Sequence, residues 1–251
     1  MRFHLILTAA LALAAPAAAQ EHGGHASTWT YGGASGPDRW AELDPANAAC
    51  AVGQQESPID LTSAIAADLG PLEIDWSPLP AAARDTGHAI QLDAPAASEG
   101  GGSTMTVGGK TYRLLQFHVH QPAEHLLDGR RFPLEIHFVH AGPDGILGVL
   151  GVFAETGEAS APLQAVLDGL TSPTGDRPEL DPNGFLPEKR DFFRYEGSLT
   201  TPPCSETVDW VVLNDPITVS QAQVDAFERI HPGNTRPVQP LHRRFLLRSG
   251  G

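Results

Sequence analysis

Three histidines limit what this chain can become more than any other feature: His118 and His120 in QFHVH, and His137 in LEIHFVH. In a β-strand, residues i and i+2 point to the same face, so His118 and His120 aim at one point. A neighbouring antiparallel strand can deliver His137 to that point. Three neutral imidazoles bind Zn²⁺ and leave the fourth tetrahedral position open for water, which separates a catalytic zinc from a structural one. Gln116 shares parity with His118 and His120, and Glu135 shares parity with His137. A metal-bound histidine needs an amide, carboxylate or carbonyl on its other ring nitrogen to fix its tautomer, and Gln116 and Glu135 are suitable partners. A lone strand histidine is more often a satisfied core residue. Three in register, with polar groups on the same faces, favour a metal site.

The chain opens MRFHLILTAALALAAPAAAQ. Arg2, the apolar run and Ala17-Ala18-Ala19 read as a secretory signal over residues 1–19 with an A-x-A-type cleavage site. The run is too short to span a bilayer, and no later segment supplies a membrane helix. The expectation is a soluble exported protein, periplasmic or secreted. Residues 20–28 (QEHGGHAST) read as a flexible tail, where His22 and His25 mark no site. The rest suits one domain over 29–248, with turns spread throughout and no linker or repeat. A formal net charge of −14 argues against nucleic acid or an anionic membrane as partner. The two cysteines, Cys50 and Cys204, most simply form a disulfide in an oxidising compartment. Thiolate zinc ligation is the weaker reading, because the spacing fits no zinc knuckle.

Five segments read as strands: His88–Asp93, Tyr112–His120, Leu134–His140, Ile146–Ala154 and Val208–Leu213. In Leu134–His140, one face carries Glu135, His137 and Val139, and the other Leu134, Ile136 and Phe138. Two segments read as helices. Ser160 caps a run with Leu163, Val166, Leu167 and Leu170, with Pro162 tolerated in the first turn. Ser220 and Gln223 make a capping box ahead of Val224, Phe227 and Ile230, and His231-Pro232-Gly233 ends that helix. YEGSLTTPPC (Tyr195–Cys204) places the hydroxyls of Thr200 and Thr201 on a Pro-stiffened loop. If Thr200 donates to a buried carboxylate such as Glu124, it can only accept from a nucleophile at the metal.

These motifs together resemble the α-class carbonic anhydrases of the bacterial, exported type, over roughly Trp29 to Arg236. The resemblance rests on WTYGGASGPDRW, ESPIDL, the GHA around His88, QFHVHQPAEH, LEIHFVH, ILGVLGVF, YEGSLTTPPC and NTRPVQPL. It implies a mainly β single domain: a large, twisted, mostly antiparallel sheet with a few short peripheral helices. It also implies one zinc on His118, His120 and His137, with Gln116 and Glu135 behind the ligands and Tyr31 in the water network of the cleft. Thr200 matches the residue that orients the nucleophile, Glu124 its carboxylate, and Thr201 the neighbouring hydroxyl. Val139, Val149, Leu199 and Trp210 match an apolar wall where CO2 rests, and Cys50 and Cys204 match a disulfide bracing the Thr200 loop. His88 matches a proton shuttle, a role its spacing alone would not assign.

The implied reaction is reversible hydration of CO2 to bicarbonate and a proton by a zinc-bound hydroxide. The partners are then small molecules, and the chain a monomer or homodimer. Glu56 and Ala123 depart from the family's usual Gln and Ser, which bears on hydrogen bonding near Glu124. Two other readings compete. A different zinc hydrolase would show HExxH, and none occurs. A non-catalytic binding module of the same fold would have lost a ligand or Thr200, and all four residues are present.

Overall fold

The computed structural model describes residues 29–95, 102–172 and 177–250. The expected signal segment and tail lie outside the described residues. β-Branched and aromatic residues form the strands that matter for the site: β1 (Ile90–Asp93), β2 (Thr104–Val107), β3 (Lys110–His120), β4 (Leu134–Ala141), β5 (Leu147–Thr156), β6 (Phe192–Gly197), β7 (Val208–Leu213) and β8 (Ile217–Val219). They belong to one 12-stranded sheet, with central order β6-β7-β5-β4-β3-β1. Antiparallel pairing joins β1 to β3, β3 to β4, β4 to β5 and β6 to β7. The sheet is mixed, because β5 runs parallel to β7 and β8. The mainly β, single-domain architecture expected from the sequence is the one observed.

β3 departs from a uniform strand in a way that matters. Even-numbered residues from Tyr112 to His120 would share one face if pleating were regular. Val139 pairs with Gln116, but His140 pairs with Leu114, so Leu115 is an extra residue. This bulge switches parity. Tyr112 and Leu114 enter the larger core cluster before it, and Phe117 and Val119 enter the same cluster after it. Gln116, His118 and His120 are thereby turned to the opposite face.

The two faces bury separate clusters. The larger packs Phe117, Ile136, Phe138, Leu150 and Val211 against helix residues Leu163, Val166, Val224 and Phe227. The smaller gathers Phe132, Val139, Val149, Phe153, Tyr195 and Trp210 on the histidine side. Helix α1 (Ala161–Thr171) starts where Ser160 Oγ accepts from Leu163 N, and α2 (Gln221–Ile230) starts at the predicted Ser220–Gln223 capping box. His231 closes α2 through its N–H on Phe227 O, and its ring pairs with Asp85 at 2.8 Å.

Five expected strand boundaries move by one or two residues: three extend, from Tyr112 back to Lys110, from His140 to Ala141 and from Ala154 to Thr156, and two starts are trimmed. The strand predicted from His88 begins at Ile90, because Thr86 Oγ1 accepts the amides of His88 and Ala89 and holds a turn there. The strand predicted from Ile146 begins at Leu147, after a 3-10 turn over Pro143–Gly145. Cys50 and Cys204 form the predicted disulfide, joining residues 154 apart.

Candidate metal centre

Register, set by hydrophobic pairing, brings the three histidines together. His137 on β4 lies directly opposite His118 on β3, and Glu135 lies opposite His120. The imidazole centroids stand 4.9, 5.4 and 4.5 Å apart, and one nitrogen from each ring lies within 4.8 Å of the others.

The second nitrogen of each ring decides which nitrogen is free. His118 Nδ1 donates to Gln116 Oε1 at 2.9 Å, His120 Nδ1 to Asn234 O at 2.7 Å, and His137 Nε2 to Glu135 Oε1 at 2.9 Å. The remaining lone pairs sit on His118 Nε2, His120 Nε2 and His137 Nδ1. His120 Nε2 is buried without a hydrogen-bond partner, which a native interior tolerates only for a reason. Burial lowers the pKa of all three, His118 well below its ordinary value and His120 to about 4. The imidazoles are therefore neutral, as ligation requires. Three neutral nitrogen donors, one otherwise orphaned, fit a zinc ion.

Glu135 holds more than one histidine. Burial alone would raise its pKa, but His125 and His137 override that and hold it well below the usual range. Its Oε1 also accepts from His125 Nδ1 at 2.8 Å, and its Oε2 accepts the amides of Glu124 and His125. His125 Nε2 meets the Tyr195 hydroxyl at 2.6 Å. The adjacent histidine thus supports the site without offering it a nitrogen.

Glu124 is fully buried, and burial raises its pKa to about 7. Its Oε1 accepts Arg236 N–H at 2.8 Å, and the Thr200 hydroxyl favours its ionised form. Its Oε2 lies 3.4 Å from His120 Nε2 and 3.8 Å from His137 Nδ1. Thr200 is buried and Thr201 partly so, as is Leu199. The apolar residues line up through register: Val139 pairs with Val149, and Val149 with Trp210. Leu199 packs against the same cluster. The Trp210 ring stands 4.9 Å from that of His137, so this wall borders the histidine cluster.

The chain matches the eukaryotic-type carbonic anhydrase family over residues 35–250. It belongs to the α-class carbonic anhydrases. A carbonic anhydrase of Neisseria gonorrhoeae is 37% identical over 246 residues, covering 96% of each chain. The Photobacterium profundum α-carbonic anhydrase superposes with a TM-score of 0.79 at 38% identity, over 87% of this chain and 99% of that one. A dioscorin complexed with ascorbate has a TM-score of 0.80 at 29% identity, over 88% and 98%.

Two residues named from the resemblance, His88 and Tyr31, pack around Trp29. His88 is half-buried in the turn before β1, and its ring stacks on Trp29 at 3.7 Å and 9°. Burial first, then His231, lowers its pKa, against Asp85. Tyr31 packs edge-on against Trp29, Trp40 and His88. Burial, and secondarily Glu124, raises its pKa well above the ordinary value.

Asn234 and Arg236 escaped the residue-by-residue reading. Besides its carbonyl on His120, Asn234 uses its side chain to bond Gln121 N, His88 O and Val119 O. Both residues stand in the NTRPVQPL motif, but a backbone carbonyl or amide leaves no side-chain signal. Of the two departures, Ala123 is buried in the smaller cluster, and Glu56 pairs with Arg236 at 2.5 Å.

Proposed function

We propose that this carbonic anhydrase holds one Zn²⁺ on His118, His120 and His137 and hydrates CO2 reversibly to bicarbonate and a proton. The observation that carries the reading is the convergence of three imidazole lone pairs, each ring's other nitrogen being committed. A zinc ion bound there lowers the pKa of a coordinated water and supplies a hydroxide nucleophile, an effect for which carbonic anhydrase is itself the standard case.

The chain's own residues supply the rest. Gln116, Asn234 and Glu135 fix the three tautomers. Glu124, anchored by Arg236 N–H, accepts from the Thr200 hydroxyl, so Thr200 can only accept from the attacking oxygen. That bond orients the nucleophile toward CO2 against Val139, Val149, Leu199 and Trp210. Thr201 adds a second hydroxyl beside the reacting carbon, and Tyr31 lines the water path. His88 carries the proton out, since imidazole titrates near neutral pH. The disulfide and the apolar leader support a periplasmic or secreted location.

Stopped-flow CO2 hydration with zinc content on the same sample tests this. One zinc per chain with fast hydration is expected, and His120→Ala loses both. Full activity in that variant would remove His120 from the ligand set. His88→Ala slows turnover in weak buffer and recovers with added imidazole; an unchanged rate in weak buffer would take the shuttle role from His88. The fold shared with the ascorbate-complexed dioscorin favours a second reading, a non-catalytic binding module. Stoichiometric zinc without hydration would select it.

A further inference from the structure

His88 lies in a turn that is held from two sides. Within the turn, Thr86 Oγ1 accepts the amides of His88 and Ala89, and Asp85 Oδ1 accepts Gly87 N–H at 2.7 Å. Gly87 has a positive φ of 84°, a conformation that glycine adopts without strain. From the other side, the segment that follows α2 grips the turn twice. His231 Nε2 donates to the same Asp85 Oδ1 at 2.8 Å, and Asn234 Nδ2 donates to His88 O at 3.0 Å, each across 146 residues. Asn234 also presents its carbonyl to His120 Nδ1. The short segment 231–234 thus joins the turn of His88 to a proposed metal ligand.

The His88 ring lies flat on Trp29, with centroids 3.7 Å apart. Among the described residues, the titratable groups that face it are Asp85 on its own turn, His231 at the end of α2 and Tyr31 from the N-terminal segment. Tyr31 stays neutral, since burial pushes its hydroxyl well above the ordinary range. The charges that act on His88 are then those of the pair: Asp85 favours its imidazolium, and a cationic His231 opposes it. The His231 side chain is only 16% exposed, so packing holds it in place. A carboxylate–histidine pair near the surface is worth little by itself. Its place against the turn of His88 is what gives it a role.

We propose that Asp85 and His231 are a positioning pair for the proton shuttle, gripping the turn of His88 and setting one anion and one titratable cation beside its imidazole. The inference rests on the shuttle reading of His88 given above. Imidazoles charge near neutral pH, so His231 gains its proton as the medium becomes acidic. A proton there discourages one on His88. A shuttle that stays protonated cannot accept the next proton, and the pair keeps His88 releasing its own as pH falls.

The test is an NMR titration of the His88 Cε1–H signal in the zinc-loaded, oxidised protein, assigned with His88→Ala, beside the pH profile of kcat in weak buffer. His231→Gln keeps an Nε2–H for Asp85 but carries no charge. It should raise the His88 pKa by about 0.4, the size expected of one charge several Å away through water. The pH at which weak-buffer kcat rises should move up with it. His231→Lys keeps a cation and should hold the His88 pKa at or below the parent value. Asp85→Asn added to His231→Gln should lower it again. A merely structural role would move the Gln and Lys variants alike. An unchanged His88 pKa in His231→Gln, or the same displacement in both variants, overturns the proposal. Titrations that move as expected while His88→Ala leaves weak-buffer turnover unchanged would support the hold of the pair on His88 and overturn the shuttle reading alone.

Discussion

His118, His120, His137 and His140 all have pKa values lowered chiefly by burial, so a depressed value does not by itself mark a metal ligand. The commitments of the two ring nitrogens make the distinction. His140 has none to spare: Nδ1 donates to Phe138 O and Gly148 O, and Nε2 accepts from Trp76 Nε1. His125 is likewise committed at both ends. Each of the three proposed ligands has one nitrogen held and one directed inward. His140 should therefore act on stability. Its folded pKa is about 4 against an ordinary 6.5, so between those values the unfolded chain binds more protons. The stability it contributes is full above pH 6.5 and falls as pH drops toward 4, by about 1 kcal/mol per pH unit. Urea unfolding across that range should show a shallower slope for His140→Gln than for the parent; parallel slopes would reject the assignment.

At the scale of elements, the helix caps and the apolar repeats were legible because they are local. Ser160, Ser220 and Gln223 act within one turn of chain, and both helices start where they predict. The bulge at Leu115 was not legible, since it exists only in the pairing of β3 with β4. It reconciles two patterns that regular pleating would set against each other, an apolar Tyr112–Leu114 and a polar Gln116–His118–His120. Close packing also overrides propensity in α1. Alanine is the better helix former by about 1 kcal/mol, but a Cβ on Gly169 would collide with the Ala81 carbonyl oxygen. Gly169→Ala should therefore destabilise the protein by about 2 kcal/mol net of propensity. A higher denaturation midpoint in that variant would show that α1 can move away from Ala81.

For the whole molecule, closure matters more than any one strand. Asn234 reaches His120 across 114 residues and Arg236 reaches Glu124 across 112, so the C-terminal segment completes a centre built on β3 and β4. The disulfide spans 154 residues, and on the chain-entropy model such a loop contributes at most about 5 kcal/mol. Cys50→Ser with Cys204→Ser should lower Tm by up to about 10–20 °C while leaving the histidine site able to bind zinc at 25 °C; an unchanged Tm would mean the link adds nothing to the packed loop. Sequence by itself determined the residue types and local periods: which histidines share a strand face, where helices begin, and which cysteines exist to pair. Those follow from pleat and turn geometry, which act over a few residues. Only the tertiary structure decided which face the histidines occupy, which carbonyl fixes His120, and that His231 pairs with Asp85 at the turn of His88. Each depends on contacts between distant segments, and those exist only after the sheet has formed and the chain has closed around it.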